Sequence, residues 1–115
     1  MTANCWMKNY YAAWDSADAD EICAWFDDEV VIEDVPTGHV SVGAVEARAF
    51  VERALELTPG TTYEIVTTIA DGDEFAAEWI MQPAGMRGTS IGTLRNGKVA
   101  TNRDYWSPAR EKQEH

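Results

Sequence analysis

The sequence is short of basic residues. Nine lysines and arginines stand against 20 aspartates and glutamates, which gives a formal net charge of −11 at neutral pH. Proteins bind nucleic acids largely by neutralising phosphates with lysine and arginine, so this deficit argues against a nucleic-acid partner. It also argues against binding to anionic membrane surfaces. We therefore expect neither nucleic acid nor membrane among the partners of this chain.

Cysteine and histidine are equally scarce. Cys5 and Cys23 both fall in predicted helices and form no Cys-x-x-Cys motif, and the histidines are His39 and His115. Structural zinc sites are built mainly from clustered cysteines and histidines, so the sequence predicts no metal centre. No glycine-rich phosphate loop follows a predicted strand. The sequence implies no cofactor.

Long apolar runs are missing as well. None approaches the ~20 residues that a membrane helix needs, and the N-terminus lacks the basic and apolar segments of a signal peptide. We therefore expect a cytoplasmic protein. A chain of 115 residues fits one domain. We predict a single domain over residues 1–107 and a polar C-terminal tail over residues 108–115.

Three helices are predicted in the first half of the chain. Trp6, Tyr10 and Trp14 recur at a spacing of four residues and form one apolar helical stripe. A short second helix begins with a capping-box pattern and is expected to bury Ile22, Trp25 and Phe26. It is expected to end at Asp27-Asp28. The third helix is expected to begin near Gly43.

Five strands are predicted around and after the third helix. The last four are joined mostly by tight turns, which favours an antiparallel meander. His39, just after a Pro-Thr-Gly turn, is predicted to lie in a solvated loop. Helices with one apolar face each must cover one face of the sheet, so we predict an α+β cone with a strongly curved, mostly antiparallel sheet. The predicted strands are Val30–Asp34, Thr61–Ala70, Glu74–Met81, Gly88–Leu94 and Lys98–Trp106.

Two aspartates fall on the predicted inward faces of strands, where alternate side chains point the same way. A buried carboxylate is costly unless it is paired or neutralised, so two such acids among aromatic residues indicate a small pocket for acid/base chemistry. We predict Asp34, Asp104 and Tyr10 as catalytic residues. The predicted substrate-binding residues are Trp14, Ile32, Trp79, Met81, Asn102 and Trp106.

Structural explanations for the same residues stay open at this point. Asp34 precedes a turn and could cap it through its side chain. Asp104 could lie at a solvated strand end and pair with a neighbouring arginine. Tyr10 and Trp14 could simply be core residues, since a helical aromatic stripe usually is. Gly88 and Gly92, inside one strand, mark either a bend or a close approach of backbone.

The order of helices and strands resembles the nuclear transport factor 2-like superfamily over nearly the whole chain. From Tyr10 to Asp34 the sequence is similar to ketosteroid isomerase without a gap. The resemblance places Asp34 at that enzyme's proton-abstracting aspartate and Tyr10 at its oxyanion-holding tyrosine. The strand that carries the isomerase's second oxyanion acid has no carboxyl group here, and its sequence is Thr89-Ser90-Ile91-Gly92-Thr93.

The C-terminal segment from Gly97 to Trp106 resembles limonene epoxide hydrolase. The resemblance places Asp104 at the acid that protonates the epoxide. Trp79 and Met81 stand on the strand where the hydrolase has its arginine and second aspartate. SnoaL-like polyketide cyclases work with fewer acids, and a site with Asp34 and Asp104 fits their pattern better.

The predicted function is therefore proton transfer on an apolar, carbonyl-bearing small molecule, by an isomerase or a SnoaL-like cyclase. Asp34 would be the base, Tyr10 a donor to the developing enolate, and Asp104 an acid or an orienting group. One alternative is an epoxide hydrolase or epoxide-opening cyclase. Another is a non-catalytic hydrophobic ligand-binding or dimerisation module. Relatives of this kind commonly form homodimers, and an outward sheet face with Val66 and Ile80 leads us to expect one here.

Overall fold

The computed structural model describes residues 5–107, with the backbone alone for Cys5. The predicted tail, 108–115, lies outside the described residues. Within residues 5–107, two α-helices are followed by two β-strands, a third helix and four further strands. The helices are α1 (Cys5–Asp15), α2 (Ala19–Cys23) and α3 (Gly43–Leu57). The strands are β1 (Phe26–Asp34), β2 (His39–Val42), β3 (Thr62–Asp71), β4 (Glu74–Gln82), β5 (Met86–Arg95) and β6 (Lys98–Ser107).

All strands belong to one sheet in the order β2-β1-β6-β5-β4-β3. Only the β1–β6 pair is parallel, because a long connection through α3 and the meander separates these two strands. The other neighbouring pairs are antiparallel. Helix α3 packs against β1 and α1 against β3, so the helices cover one face of a curled sheet. The predicted α+β cone with a mostly antiparallel sheet is confirmed.

The second helix is shorter than predicted, and Phe26 belongs to β1. The helix begins at the predicted cap, where Asp18 accepts hydrogen bonds from the backbone amides of Asp20 and Glu21. It ends at Cys23, and Phe26 then pairs with Val99 of β6. The prediction was wrong because this pairing joins residues far apart in sequence, which no local pattern records.

One strand was not predicted, and it contains His39. Strand β2 forms a hairpin with β1 in which His39 pairs with Asp34. The prediction of a loop histidine was wrong because β2 has four residues and lies at the sheet edge, where most of its side chains are exposed. The His39 ring stacks on Phe50 of α3, with 6.5 Å between ring centroids.

Both glycines of β5 allow close approaches, and at Gly92 the approaching group is backbone, as one of the two interpretations predicted. A Cβ atom at Gly88 would lie 2.3 Å from the ring of Trp79, and one at Gly92 would lie 2.0 Å from the carbonyl oxygen of Thr101. The missing side chain of Gly88 therefore lets the Trp79 indole lie flat on the neighbouring strand. Gly92 lets β5 and β6 approach closely beside Thr101.

The outward face of the sheet carries scattered apolar side chains. Val66 is 47% exposed and lies at a register irregularity of β3. Ile80 is half-buried between Glu64 and Arg87 on the flanking strands. A homodimer built on this face remains a prediction. Within residues 5–107, no helix combines the length and the apolar character required to cross a bilayer.

Candidate active site

A cavity of about 840 Å³ opens between the concave face of the sheet and helices α1 and α3. Alternation along the strands and the apolar stripe of α1 bring all nine predicted site residues to its wall, while their chemical roles remain predictions. These residues are Tyr10, Trp14, Ile32, Asp34, Trp79, Met81, Asn102, Asp104 and Trp106.

The two aspartates are neighbours because their strands are parallel and in register. Asp34 of β1 pairs with Asp104 of β6, and the amide of Val35 donates to the carbonyl oxygen of Asp104 at 3.0 Å. Parallel strands in register point paired side chains to the same face of the sheet. Both carboxyl groups therefore face the cavity side by side.

Asp104 is held through one of its two carboxyl oxygens. Its Oδ1 accepts hydrogen bonds from the Ser90 hydroxyl and from the Asn102 amide, each at 2.7 Å. The indole of Trp79 donates in turn to the Ser90 oxygen at 3.0 Å. No residue of the described range 5–107 forms a hydrogen bond with Oδ2. The carboxyl group is thus fixed in orientation with one oxygen left for another partner.

The environment of Asp104 favours its protonated form. Burial raises the pKa of Asp104 from 3.8 to about 6, while the hydrogen bonds from Ser90 and Asn102 lower it and the charge of Asp34 raises it further. Desolvation has the largest effect on the pKa of Asp104 because the cavity wall around the carboxyl group is mostly aromatic and aliphatic. A carboxyl group with this pKa can accept and release a proton near neutral pH.

Asp34 is held differently, since both of its oxygens accept hydrogen bonds. The indole of Trp106 donates to Oδ1, and the hydroxyl of Thr37 donates to Oδ2 at 2.8 Å. The Asp34 carbonyl also accepts from the amides of Thr37 and Gly38. Asp34 therefore helps to shape the turn after β1 while its carboxyl group lies at the cavity wall. The side chain of Asp34 thus contacts the turn through the Thr37 hydroxyl and not, as in a side-chain cap, through the backbone amides of the turn.

Three tyrosines bring hydroxyl groups to the same cavity. Burial raises the pKa of Tyr10, Tyr11 and Tyr63, and the charge of Asp104 raises each of them further. The neighbouring Trp14 lowers the pKa of Tyr10 in part. All three hydroxyls are therefore neutral hydrogen-bond donors at physiological pH.

Tyr11, Ser90 and Tyr63 are among the site residues that the sequence did not reveal. Tyr11 is off the Trp6–Tyr10–Trp14 stripe, yet it follows the buried Met7 by four residues, and this second spacing could have found it. Ser90 lies between Gly88 and Gly92 on the inward face of β5. Strand β5 is the one that lacks the second oxyanion acid of the isomerase. Ser90 on this strand donates a hydrogen bond to Asp104.

Helix α3 and the hairpin between β1 and β2 also contribute to the cavity wall. The lining residues from these elements include Thr37, His39, Phe50, Arg53 and Leu57. Within the part of the chain that the structure describes, no three histidine, cysteine, aspartate or glutamate side chains are grouped as metal ligands would be.

We expect Asp104→Asn to stabilise the fold above pH 6. Because the folded state holds the Asp104 proton up to about pH 6 and the unfolded state releases it near pH 3.8, wild-type stability falls as pH rises through this window. The asparagine side chain does not ionise, so the variant does not lose this stability, and its amide oxygen can still accept a hydrogen bond from Ser90. The free energy of unfolding should rise by about 1–3 kcal/mol at pH 7.5 and change little at pH 4. Urea denaturation at both pH values measures this, and equal stabilities at pH 7.5 would contradict it.

The fold and its cavity define a cone-shaped α+β protein with acids at the wall of an apolar pocket. The family model of the SnoaL-like domain matches residues 7–102. The chain therefore belongs to the SnoaL-like domain family, and it has the nuclear transport factor 2-like fold that the sequence resemblance indicated. No curated protein matches the chain in sequence.

Solved structures share this fold at low sequence identity. A SnoaL-like protein of unknown function from Burkholderia thailandensis superposes with a TM-score of 0.81 at 18% identity, covering 91% of this chain and 94% of that one. A candidate polyketide cyclase from Sinorhizobium meliloti has a TM-score of 0.76 at 19% identity, covering 86% and 92%. A protein with a ketosteroid isomerase-like fold from Catenulispora acidiphila, in complex with trimethylamine, has a TM-score of 0.78 at 16% identity, covering 92% and 88%.

Proposed function

We propose that this protein is an enzyme that moves a proton on an apolar, carbonyl-bearing small molecule, as an isomerase or a cyclase does. The observation that carries the proposal is the state of Asp104. Its carboxyl group lies in the wall of a large cavity, is fixed through one oxygen, and has a pKa raised to about 6. Family membership and the fold of a candidate polyketide cyclase are consistent with it.

In the proposed reaction Asp104 is the base. Its Oδ2 takes a proton from the carbon next to the substrate carbonyl, and the hydroxyls of Tyr10 and Tyr11 donate to the oxygen of the resulting enolate. Pre-aimed donors in a dry site stabilise such charge more than water does. Asp104 then returns the proton at another carbon. Alternatively, the enolate carbon attacks a second carbonyl and closes a ring, and Asp104 returns the proton to the alkoxide oxygen that forms.

This assignment differs from the sequence-based one, which made Asp34 the base. Both oxygens of Asp34 already accept hydrogen bonds, from Trp106 and Thr37. A substrate C–H group would have to compete with these donors at Asp34, whereas Oδ2 of Asp104 has no partner within residues 5–107. We propose that Asp34 acts through its charge, which raises the pKa of the neighbouring carboxyl group.

The open cavity favours an enzyme over a passive binding module. In a module without catalytic function, Trp14, Trp79 and Trp106 would fill the cone and shield both acids. Here the same tryptophans line a cavity of about 840 Å³ that leaves both acids at its wall. This volume lies within the range of pockets that hold small-molecule ligands.

We expect the wild-type protein to exchange α-protons of apolar ketones with D₂O, with a rate that rises with pH and levels off above about pH 6. The sign follows because a base works only when it is deprotonated. Proton NMR of a panel of aryl and alicyclic ketones measures the exchange. If the protein instead opens epoxides with a rate that falls above pH 6, Asp104 acts as an acid and the epoxide alternative is correct. Exchange at the buffer rate across the panel would refute the proposal.

A further inference from the structure

Two buried polar atoms of residues that line the cavity have no hydrogen-bond partner within residues 5–107. They are the hydroxyl of Tyr11 and the side-chain oxygen Oδ1 of Asn102. Tyr11 is only 4% exposed and Asn102 only 5%. A buried polar atom without a partner costs about 1–3 kcal/mol, so each of these atoms requires an explanation. Both residues line the cavity, where a ligand could supply the missing partner.

The two atoms belong to one local network around Oδ1 of Asp104. Asn102 donates to this oxygen through its amide nitrogen, which fixes its own oxygen as the free end of the amide. Ser90 donates to the same oxygen, and its interaction with Tyr11 lowers the pKa of that tyrosine. Tyr11 nonetheless makes no hydrogen bond of normal geometry within residues 5–107. The unpartnered amide oxygen therefore belongs to one donor of this carboxylate oxygen, and the unpartnered hydroxyl lies near the other donor, Ser90.

The two atoms differ in what they require. The raised pKa of Tyr11 keeps its hydroxyl protonated, so it needs an acceptor. An amide oxygen can only accept, so Asn102 needs a donor. A ketone alone offers an acceptor and would leave Asn102 unsatisfied. A compound with a hydroxyl next to its carbonyl group offers both.

We propose that the substrate is a hydroxy ketone, whose carbonyl oxygen accepts from Tyr11 and whose neighbouring hydroxyl donates to Asn102. This inference deepens the proposed function and rests on the same cavity. It places the carbon between the two oxygens beside Asp104, whose Oδ2 is free to take its proton. Sites built to bind a substrate hydroxyl reject analogues without it, because the protein group is left unpaired.

A matched ligand series tests the inference through affinity. Benzoin has the ketone and the neighbouring hydroxyl, benzoin methyl ether has lost the donor hydrogen, and deoxybenzoin has lost the hydroxyl. We expect wild-type protein to bind benzoin about 10-fold to 100-fold more tightly than either analogue in isothermal titration calorimetry. Equal affinity for all three would overturn the inference, even if the protein exchanges ketone protons.

Variants assign the two contacts. In Asn102→Leu, which keeps the side-chain size, the preference for benzoin should disappear, whereas a preference that survives would assign the hydroxyl to Asp104 and overturn the role of Asn102. In Tyr11→Phe all three ligands should weaken about 10-fold with their ranking unchanged. Tyr105→Phe makes the same change on an exposed tyrosine of β6 and should leave all affinities as in wild type. A failure of this variant series to follow that pattern contradicts the assigned contacts.

The two proposals fail separately. A strong preference for benzoin without any proton exchange would support the binding inference and refute the enzymatic proposal. Proton exchange with no preference among the ligands would support the enzyme and refute the hydroxy ketone.

Discussion

Replacing Asp104 by asparagine is expected to lower α-proton exchange by about 10²–10⁴-fold, the usual contribution of a positioned general base. The amide keeps the size of the side chain, and its oxygen can still accept from Ser90, so the cavity should keep its shape. What is lost is the oxygen Oδ2, which has no partner within residues 5–107 and accepts the proton in the proposed reaction. Exchange rates from proton NMR in D₂O measure the effect.

Asp34→Asn tests which of the two acids is the base. Its charge raises the pKa of Asp104, so the variant should keep most of its maximal exchange rate and shift the midpoint of its pH profile to a lower pH. Glu33→Gln makes the same chemical change on the outward face of β1 and should leave both rate and midpoint unchanged. A loss in Asp34→Asn as large as in Asp104→Asn would restore Asp34 as the base, which is the role that the sequence resemblance implies.

Gly92→Ala is expected to destabilise the fold by about 3 kcal/mol, at the upper end of the usual range for overpacking. Its Cβ atom would lie 2.0 Å from the Thr101 carbonyl oxygen and 2.9 Å from the Phe75 ring. Backbone on a paired strand cannot move aside without breaking the β5–β6 pairing. At a strand position with free space the same change would be neutral or stabilising, because alanine restricts the unfolded chain. Urea denaturation followed by circular dichroism measures the difference.

Gly88→Ala provides a graded comparison within the same strand. Its Cβ atom meets the ring of Trp79 at 2.3 Å, and a side chain can tilt where backbone cannot. We expect a smaller loss of about 1–2 kcal/mol, together with reduced proton exchange, because the Trp79–Ser90–Asp104 hydrogen bonds are disturbed. Thr89→Ala, between the two glycines, should change stability by less than about 1 kcal/mol. Stability in Gly92→Ala equal to that of Thr89→Ala would show that β5 and β6 separate easily.

The sequence by itself determined which side chains face the interior. Strand alternation and helical spacing are local properties of the backbone, so Asp34, Asp104, Trp79 and Tyr10 could be placed at one cavity from their neighbours along the chain. The three helices and the meander were predictable for the same reason. The glycines of β5 likewise signalled a close approach through the absence of a side chain.

Only the tertiary structure decided how the two acids differ. Both oxygens of Asp34 and one oxygen of Asp104 accept hydrogen bonds, in part from the nearby Thr37 and Asn102. The parallel pairing of β1 with β6 and the donors Trp106 and Ser90, in contrast, come from distant segments. These contacts join residues far apart in sequence, and their desolvation depends on the whole cavity wall. The edge strand with His39, the start of β1 at Phe26 and the unpartnered hydroxyl of Tyr11 escaped prediction for the same physical reason: each is defined by a partner, or by the lack of one, that the local sequence does not contain.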